Sequence, residues 1–155
     1  MNYLLDTNIA LLRIKSIDFR HFFDSKYPSN EDDIFAISVV SLGELESLSI
    51  QNNWSALKIQ ALERFTNTLL KIDINNQPVI NAYGQIDAYS QGRLLNNPLP
   101  NGLSSRNMGK NDLWISACAY AINATLITTD KDFNHLESKF LTIDLIDIKN
   151  LGIIR

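Results

Sequence analysis

The first eight residues read Met1-Asn2-Tyr3-Leu4-Leu5-Asp6-Thr7-Asn8. A short apolar run ends here in a carboxylate, and this pattern predicts a buried β-strand with Asp6 at its carboxyl end. In open parallel α/β sheets, ligands bind in the crevice outside the carboxyl ends of the strands. We therefore expect Asp6 to lie in a functional site.

Strand-like and helix-like segments alternate along the rest of the chain. Ile34–Val40 is nearly continuous in its apolar character, as is typical of a strand buried on both faces. The further strand candidates are 71–74, 125–128 and 141–148. Helices are predicted over 8–15, 41–50 and 54–69, from residue 78 onward, and over 112–123. This alternation predicts an α/β fold with a central, mainly parallel sheet flanked by helices.

Two segments lack a clear periodic pattern. Residues 18–33 mix aromatic, acidic and turn-forming residues, and we expect a connection that includes a turn of helix. Residues 96–110 contain two prolines and two glycines and are predicted to form a long irregular loop. Loops of this length inside a compact domain are often functional.

Composition limits the class of protein. The 155 residues predict one compact domain, residues 1–155. A net charge of −3 argues against a protein that grips nucleic acid by bulk positive charge, but not against a nuclease whose metal ions supply that charge. The single cysteine, Cys118, cannot form an internal disulfide, so a cytoplasmic setting is expected. No apolar run reaches the roughly 18–20 residues needed to span a bilayer, so no membrane association is expected.

Four carboxylates occupy comparable positions beside the predicted strands. Asp6 and Asp130 each follow a strand directly, and Glu44 lies one turn into the helix after another strand. Asp112 begins the helix that leads into the strand at 125–128. Because the carboxyl ends of parallel strands share one edge of the sheet, we expect the first three to lie close together. Asp112 joins them if its helix also starts at that edge.

Each acid also has a purely structural interpretation. Asp is a favoured N-cap, which suits Asp6, and Ser41-x-x-Glu44 fits a capping box. Asp112 is favoured in the first turn of a helix by the helix dipole, and Asp130 suits a turn. The shared location of the four acids nevertheless favours a functional cluster, since close carboxylates without cations repel one another.

Divalent cations would neutralise such a cluster. Ligation by oxygen alone suits Mg²⁺ or Mn²⁺, whereas zinc is disfavoured because His21 and His135 lie away from the acidic motifs. A carboxylate pocket with these ions typically acts on phosphate esters, which makes phosphodiester hydrolysis the leading hypothesis. The sequence has no phosphate-binding loop of the Gly-x-x-x-x-Gly-Lys-Ser/Thr type and no dinucleotide-binding glycine motif.

The chain resembles PIN-domain proteins, close to the VapC-type toxins of toxin–antitoxin pairs. Four motifs carry the resemblance, in the order in which the family has them, over nearly the whole chain. They are Leu4-Leu5-Asp6-Thr7-Asn8, Val39-Val40-Ser41-Leu42-Gly43-Glu44-Leu45, Asn111-Asp112-Leu113-Trp114-Ile115-Ser116-Ala117 and Leu126-Ile127-Thr128-Thr129-Asp130-Lys131-Asp132-Phe133. The resemblance implies a single Rossmann-like PIN domain with metal-dependent ribonuclease activity.

It also implies roles for individual residues. The acidic quartet around Mg²⁺ or Mn²⁺ would be Asp6, Glu44, Asp112 and Asp130, with Asp6 and Asp112 as the principal ligands. Glu44 and Asp130 would bind a second ion or position a water molecule. Thr7 and Thr128 match hydroxyl positions that orient substrate or ligands, with hydrogen bonding at the strand ends as the structural alternative.

The resemblance further implies partners for the chain. They are an RNA substrate, a cognate antitoxin protein and a second copy of the chain in a homodimer. The two helices between Leu42 and Leu70 are the expected docking surface, with coverage of the core as the alternative. Arg106 and Lys110, in the long loop beside Asp112, are candidates for contact with RNA phosphates, and ordinary solvated charge is the alternative.

Two other functions remain as alternatives. A phosphatase of the haloacid-dehalogenase kind would use Asp6 as a nucleophile, but it requires a second acid two residues later, where this chain has Asn8. A non-catalytic PIN fold would only bind RNA or a partner. The intact quartet argues against a non-catalytic PIN fold. Measured Mn²⁺ binding would discriminate between the ribonuclease and a pure binding module, which should bind none.

Overall fold

Five strands form one sheet in the computed structural model, which describes residues 1–28 and 30–152. The strands are β1 (Asn2–Leu5), β2 (Ile34–Ser38), β3 (Leu70–Ile72), β4 (Thr125–Thr128) and β5 (Thr142–Leu145). Their order across the sheet is β3-β2-β1-β4-β5, and every neighbouring pair is parallel. The structure confirms the predicted α/β fold with a parallel sheet.

Within residues 1–28 and 30–152, six α-helices and one 3₁₀ helix connect and cover these strands. The α-helices are α1 (Thr7–Lys15), α2 (Ile17–Lys26), α3 (Val39–Gln51), α4 (Ala56–Thr66), α5 (Gln77–Ser90) and α6 (Lys110–Ala121). The 3₁₀ helix spans Lys131–Leu136 and directly follows the turn after β4. None of the helices in the described ranges has both the length and the apolar character needed to cross a lipid bilayer.

Alternation along the strands divides the core into two layers. Leu4 of β1 belongs to the cluster that includes the buried residues of α5 and α6, whereas Leu5 belongs to the cluster that includes those of α1 to α4. Ala36 and Ile37 of β2 are divided in the same way, because successive strand side chains point to opposite faces. Both faces of the sheet are therefore covered, which explains the nearly continuous apolar composition of the strands.

The direction in which the strands are added reverses between β1 and β4. From β1 the chain builds outward through β2 to β3, then returns through α5 and α6 to place β4 on the other side of β1. A backbone hydrogen bond of 3.0 Å from the Asp6 N–H to the Ile127 carbonyl extends the β1–β4 pairing to the strand ends. Crevices at such reversal points are where open α/β sheets bind ligands.

The prediction of a connection over residues 18–33 was wrong for its first half. Helix α2 occupies Ile17–Lys26, and the Ser16 hydroxyl caps it by accepting the Phe19 N–H. Phe19 and Phe23 lie four residues apart on one face and are both buried. Their spacing was visible in the sequence, but the acidic and turn-forming residues around it obscured the helical pattern.

The strand predicted over Ile34–Val40 ends two residues earlier than expected. The Ser38 side chain accepts the Val40 N–H and caps α3, so Val39 and Val40 are helical. β-Branched residues favour strands only weakly, and here the cap and the packing of α3 decide the conformation.

Candidate active site

The four acids of the predicted quartet line one open cavity of about 650 Å³, here called the carboxylate cavity. Asp6 follows β1, Asp130 follows β4 in the turn before the 3₁₀ helix, and Glu44 lies in α3 after β2. Asp112 lies in the first turn of α6, whose N-terminal end reaches the same cavity. The structure thus brings all four side chains to the edge of the sheet where the strand order reverses.

Thr128, the last residue of β4, links two of the acids. Its hydroxyl donates a hydrogen bond of 2.7 Å to Asp6 Oδ2 and accepts the Asp130 N–H at 3.0 Å. Asp6 stands at the N-cap position of α1, but its side chain makes no capping hydrogen bond. The capping interpretation of Asp6 is therefore wrong, because its carboxylate is directed to Thr128 instead.

Asp130 combines the two interpretations that the sequence offered. Its Oδ1 accepts the Asp132 N–H at 2.8 Å, which caps the 3₁₀ helix, and its side chain also lines the carboxylate cavity. The turn-forming role fixes the carboxylate at the cavity wall. The two roles are therefore compatible.

Glu44 is held by side chains from two other elements. The Thr7 hydroxyl donates a hydrogen bond to Glu44 Oε2, and Asn111 Nδ2 donates one of 2.7 Å to Oε1. The hydroxyls of Thr7 and Ser41 share a further hydrogen bond of 2.9 Å. Because a carboxylate only accepts and a hydroxyl has one proton, Thr7 donates to Glu44 and accepts from Ser41.

The capping box predicted for Ser41 and Glu44 is wrong. Helix α3 begins at Val39 with Ser38 as its cap, so Ser41 lies inside the helix, fully buried against Thr7. Ser41 and Asn111 are the positioning residues that sequence reasoning missed. Both stand inside the motifs that carry the resemblance, but their hydrogen-bond partners lie far away in the sequence.

Gly109 allows α6 to present Asp112 to the cavity. A Cβ atom built at residue 109 would lie 2.9 Å from Asp112 Oδ2, closer than real Cβ contacts. Any side chain at residue 109 would therefore displace the carboxylate. The glycine leaves room for the Asp112 carboxylate in this position, and its φ of −55° is one that any residue can adopt.

Burial and mutual repulsion make two of the acids difficult to ionise. Burial raises the pKa of Asp6 to about 6, and the charges of Asp112 and Glu44 add to this shift against the opposing hydrogen bond from Thr128. Burial likewise raises the pKa of Asp112 to about 6, with further contributions from the charges of Asp130 and Glu44. Among the described residues, those that line the cavity include no Lys, Arg or His.

This donor set fits a hard divalent cation. The cavity offers carboxylate oxygens from four separate segments, with hydroxyl and amide side chains also lining it, and neither sulfur nor imidazole. Within ranges 1–28 and 30–152, no three acidic, histidine or cysteine side chains stand close enough together to hold an ion as they are oriented. Ligation of one ion by three carboxylates would therefore require at least one of these side chains to rotate. Glu44 is held in its present orientation by hydrogen bonds to both of its carboxylate oxygens.

The other predicted contact residues lie at different distances from the carboxylates. Thr7 lines the carboxylate cavity, and Thr128 contacts Asp6 from the end of β4. Arg106 lines a separate cavity beside the 3₁₀ helix, and Lys110 is exposed at the first residue of α6 without lining the carboxylate cavity. Contact of Arg106 and Lys110 with RNA stays a prediction.

Comparison with known proteins identifies a family and several solved structures that are similar to this chain. The sequence model of one family, described as the PIN domain, matches residues 3–139. No curated protein sequence matches the chain.

Solved structures of VapBC proteins share the fold. The chain is similar to the structure of VapBC2 from Rickettsia felis bound to a DNA fragment from their promoter, with 26% identity and a TM-score of 0.71 over 95% of this chain and 100% of that one. It is similar to VapBC-1 from nontypeable Haemophilus influenzae, with 25% identity and a TM-score of 0.70 over 94% and 98%. VapBC-5 from Mycobacterium tuberculosis, a member of the VapBC family of toxin–antitoxin systems, shares the fold at 19% identity and a TM-score of 0.59 over 94% and 97%.

Replacing Asp6 by Asn should stabilise the metal-free protein at neutral pH. The pKa of Asp6 is raised from 3.8 to about 6, so the folded state binds more protons than the unfolded state between these values. The penalty is absent below about pH 4 and fully present above about pH 6. Urea unfolding in EDTA should therefore show Asp6→Asn to be about 2–3 kcal/mol more stable at pH 7.5, with little difference at pH 4.

The exposed Glu46→Gln variant, on α3 outside the cavity, is the matched control for loss of one carboxylate. A gain for Asp6→Asn that equals the control, or that persists unchanged at pH 4, would contradict the proposed origin of the penalty.

Thr7→Val should destabilise the protein by about 1–3 kcal/mol. The substitution keeps the shape of the side chain but removes the hydroxyl that Ser41 and Glu44 share, leaving the Ser41 hydroxyl buried without its partner. Thr7→Ser keeps the hydroxyl and should lose much less. Urea unfolding of both variants measures the difference, and equal stabilities would show that the hydrogen bonds do not matter.

Proposed function

This chain belongs to the PIN-domain family, and on that premise we propose that it is a Mg²⁺- or Mn²⁺-dependent endoribonuclease that acts as the toxin of a toxin–antitoxin pair. One observation supports the proposal above all others. Four acids, Asp6, Glu44, Asp112 and Asp130, line one cavity, and the described residues that line it include no basic side chain. Such a cavity is costly without a cation, and a binding module has no need of it.

Asp6 and Asp112 are the proposed principal ligands. They are the two acids whose pKa values are raised to about 6, so they gain most from a nearby positive charge. A divalent ion, when bound, would supply charge stabilisation to a phosphodiester and acidity to water at the site. Thr128 orients the Asp6 carboxylate through a hydrogen bond to Oδ2.

Glu44 and Asp130 are proposed to bind a second ion or to hold the attacking water. Glu44 is oriented by Thr7 and Asn111, and Asp130 is oriented by its cap on the 3₁₀ helix. A carboxylate whose rotamer is fixed by neighbours can accept a proton from water at a defined place. These fixed orientations support a catalytic arrangement over a loose acidic patch.

A protein partner is the second part of the proposal. The similar structures from R. felis and H. influenzae are of VapBC proteins, and that of M. tuberculosis belongs to a toxin–antitoxin family. The face of α3 and α4 supports a docking role here, since Ile50 is 67% exposed and Leu57 is 76% exposed. The same helices also cover the core through Leu45 and Leu62, so the two interpretations of this face coexist. A second copy of the chain is the other proposed occupant.

The decisive test is RNA cleavage by the purified protein with Mg²⁺, Mn²⁺ or EDTA. We expect metal-dependent cleavage that falls by roughly 10²-fold or more in Asp112→Asn. Asparagine keeps the shape of the side chain and removes a carboxyl group whose pKa is raised by its surroundings. The fold should therefore survive the substitution, and circular dichroism would verify this.

Glu46→Gln is again the control, and it should cleave like the parent protein. Cleavage by Asp112→Asn at the parent rate would contradict the proposed site. No cleavage by a folded parent protein with either ion would favour the non-catalytic alternative.

Mn²⁺ binding should weaken as the pH falls through 6. Protons compete for Asp6 and Asp112, whose pKa values are both raised to about 6 in the metal-free protein. One such group lowers the apparent affinity by about tenfold between pH 7 and pH 5, and two groups lower it further. Isothermal titration calorimetry measures the affinity, with Asp6→Asn as the variant that should bind weakly at both pH values. Absence of Mn²⁺ binding at pH 7 would contradict a metal-dependent function.

A further inference from the structure

A second cavity, here called the side cavity, lies beside the 3₁₀ helix and has a volume of about 270 Å³. The last turn of α5, the loop between α5 and α6, the 3₁₀ helix and the turn after it form its wall. The lining residues that matter here are Tyr89, Arg106, Lys131, His135, Glu137 and Lys139. The side cavity shares no lining residue with the carboxylate cavity.

Positive charge predominates in the side cavity. Arg106, Lys131 and Lys139 come from three separate segments, and Glu137 is the single acid among the lining residues. Ion pairs in the described ranges involve other groups, so none of these three cations forms one. In a chain with a net charge of −3, three cations gathered around one cavity without a paired acid favour an anionic ligand.

Ser90 fixes two walls of the side cavity relative to each other. Its carbonyl accepts the Arg106 N–H at 2.8 Å, and its hydroxyl lies 2.8 Å from His135 Nε2. His135 Nδ1 lies 3.0 Å from the Asp132 carbonyl oxygen, which can only accept, so Nδ1 carries the proton and the Ser90 hydroxyl donates to Nε2. The backbone of Arg106 is therefore held in place before any ligand arrives.

His135 itself adds no charge to this arrangement. Burial lowers the pKa of His135, the nearby charge of Arg106 lowers it further, and both ring nitrogens are already in hydrogen bonds. The imidazole is thus a neutral part of the wall. The positive charge comes from Arg106, Lys131 and Lys139.

Tyr89 provides an independent sign of a missing partner. Its side chain is fully buried and lines the side cavity, and its hydroxyl has no hydrogen-bond partner among the described residues. A buried hydroxyl without a partner costs free energy, and such a group is usually satisfied by protein, water or ligand. The hydroxyl oxygen is itself closed to solvent, so a phosphate oxygen that met it would have to displace part of the cavity wall.

The position of the side cavity connects it with the carboxylate cavity. Asp130 lines the carboxylate cavity, and the next residue, Lys131, lines the side cavity. A polymer whose phosphodiester lay at Asp130 would therefore pass close to Lys131. A small ligand with only one phosphate group would need only one of these two cavities, whereas a polymer of phosphodiesters could use both.

We infer that the side cavity binds a backbone phosphate of the RNA strand, next to the phosphodiester held at the carboxylate cavity. Arg106 and Lys131 supply the charge, and the Tyr89 hydroxyl supplies a hydrogen bond. The inference rests on the proposed ribonuclease function for the identity of the polymer. It assigns Arg106 to a defined subsite, separate from the metal-ligating acids.

The first experiment measures binding of a fluorescent single-stranded RNA oligonucleotide in EDTA, where cleavage does not occur. Arg106→Gln and Lys131→Gln should each weaken binding by roughly tenfold. Each should also flatten the slope of log affinity against log salt concentration by about 0.7, the value for one lost phosphate contact with a single strand.

Arg64→Gln and Lys71→Gln are the charge-matched controls, because both residues are exposed and neither lines either of these two cavities. Effects of Arg106→Gln and Lys131→Gln that equal these controls would overturn the inference.

Tyr89→Phe separates a ligand-binding role from a structural one. The ring is kept, and the hydroxyl that is removed has no protein partner, so the thermal stability should be unchanged or slightly higher. RNA binding should nevertheless weaken. Unchanged RNA binding would show that the hydroxyl does not meet the phosphate.

Kinetics distinguishes failure of the inference from failure of the proposed function. On the oligonucleotide, Arg106→Gln should raise KM with little change in kcat. On a dinucleotide, which offers no neighbouring phosphate, the rise in KM should be much smaller. Cleavage that does not depend on Arg106 or Lys131 would overturn the inference and leave the function standing. RNA binding that depends on Arg106 without any cleavage would overturn the function and support the subsite.

Inorganic phosphate is the remaining arm of the test. Inorganic phosphate could stabilise the parent protein thermally but not Arg106→Gln, while RNA binding is the same in both. That combination would assign the side cavity to free phosphate and overturn the inference.

Discussion

The pairing of β1 with β4 is the interaction on which the rest of the structure depends. It sets the reversal of strand order, places Leu4 and Leu5 in the two core layers, and aligns the end of β1 with the end of β4. The Asp6 N–H and its carboxylate are both bound to β4, through Ile127 and Thr128 respectively. The contacts that pair β1 with β4 therefore fix the position of the central acid. The hydrogen bond from Thr128 also opposes the rise in the pKa of Asp6 that burial causes.

Hydrogen bonds from neutral groups organise the carboxylate cavity. In a charge cluster with a purely structural role, basic side chains would be expected to pair with the acids. Thr7, Asn111 and Thr128 each donate to an acid, which lowers the cost of burial without neutralising the charge. The remaining repulsion is visible in the raised pKa values of Asp6 and Asp112. Positive charge is kept one residue away, on the far side of Asp130, where Lys131 lines the side cavity. Separation of this kind suits the metal ion that we propose for these acids.

The sequence predicted the parts of this structure that depend on local patterns. The parallel sheet and the location of all four acids at one cavity agree with it, because an apolar run followed by an acid can be recognised over a few residues. The start of α3 and the whole of α2 were misjudged, since a serine cap and a pair of buried phenylalanines outweighed composition. Ser41, Asn111 and Gly109 were missed for a different reason. Their roles depend on partners that the fold brings together, such as Glu44, which lies 67 residues from Asn111.

Dependence on β4 has a consequence for biosynthesis. The hydrogen bond between Asp6 and Thr128 spans 122 residues, so the carboxylate cavity depends on contacts between distant parts of the sequence and is completed only after β4 has been synthesised. A nascent polypeptide that has not yet delivered β4 from the ribosome lacks Thr128 and Asp130 and cannot complete the cavity. For an enzyme proposed to cut RNA, this topology delays activity until translation has passed β4 and the turn after it.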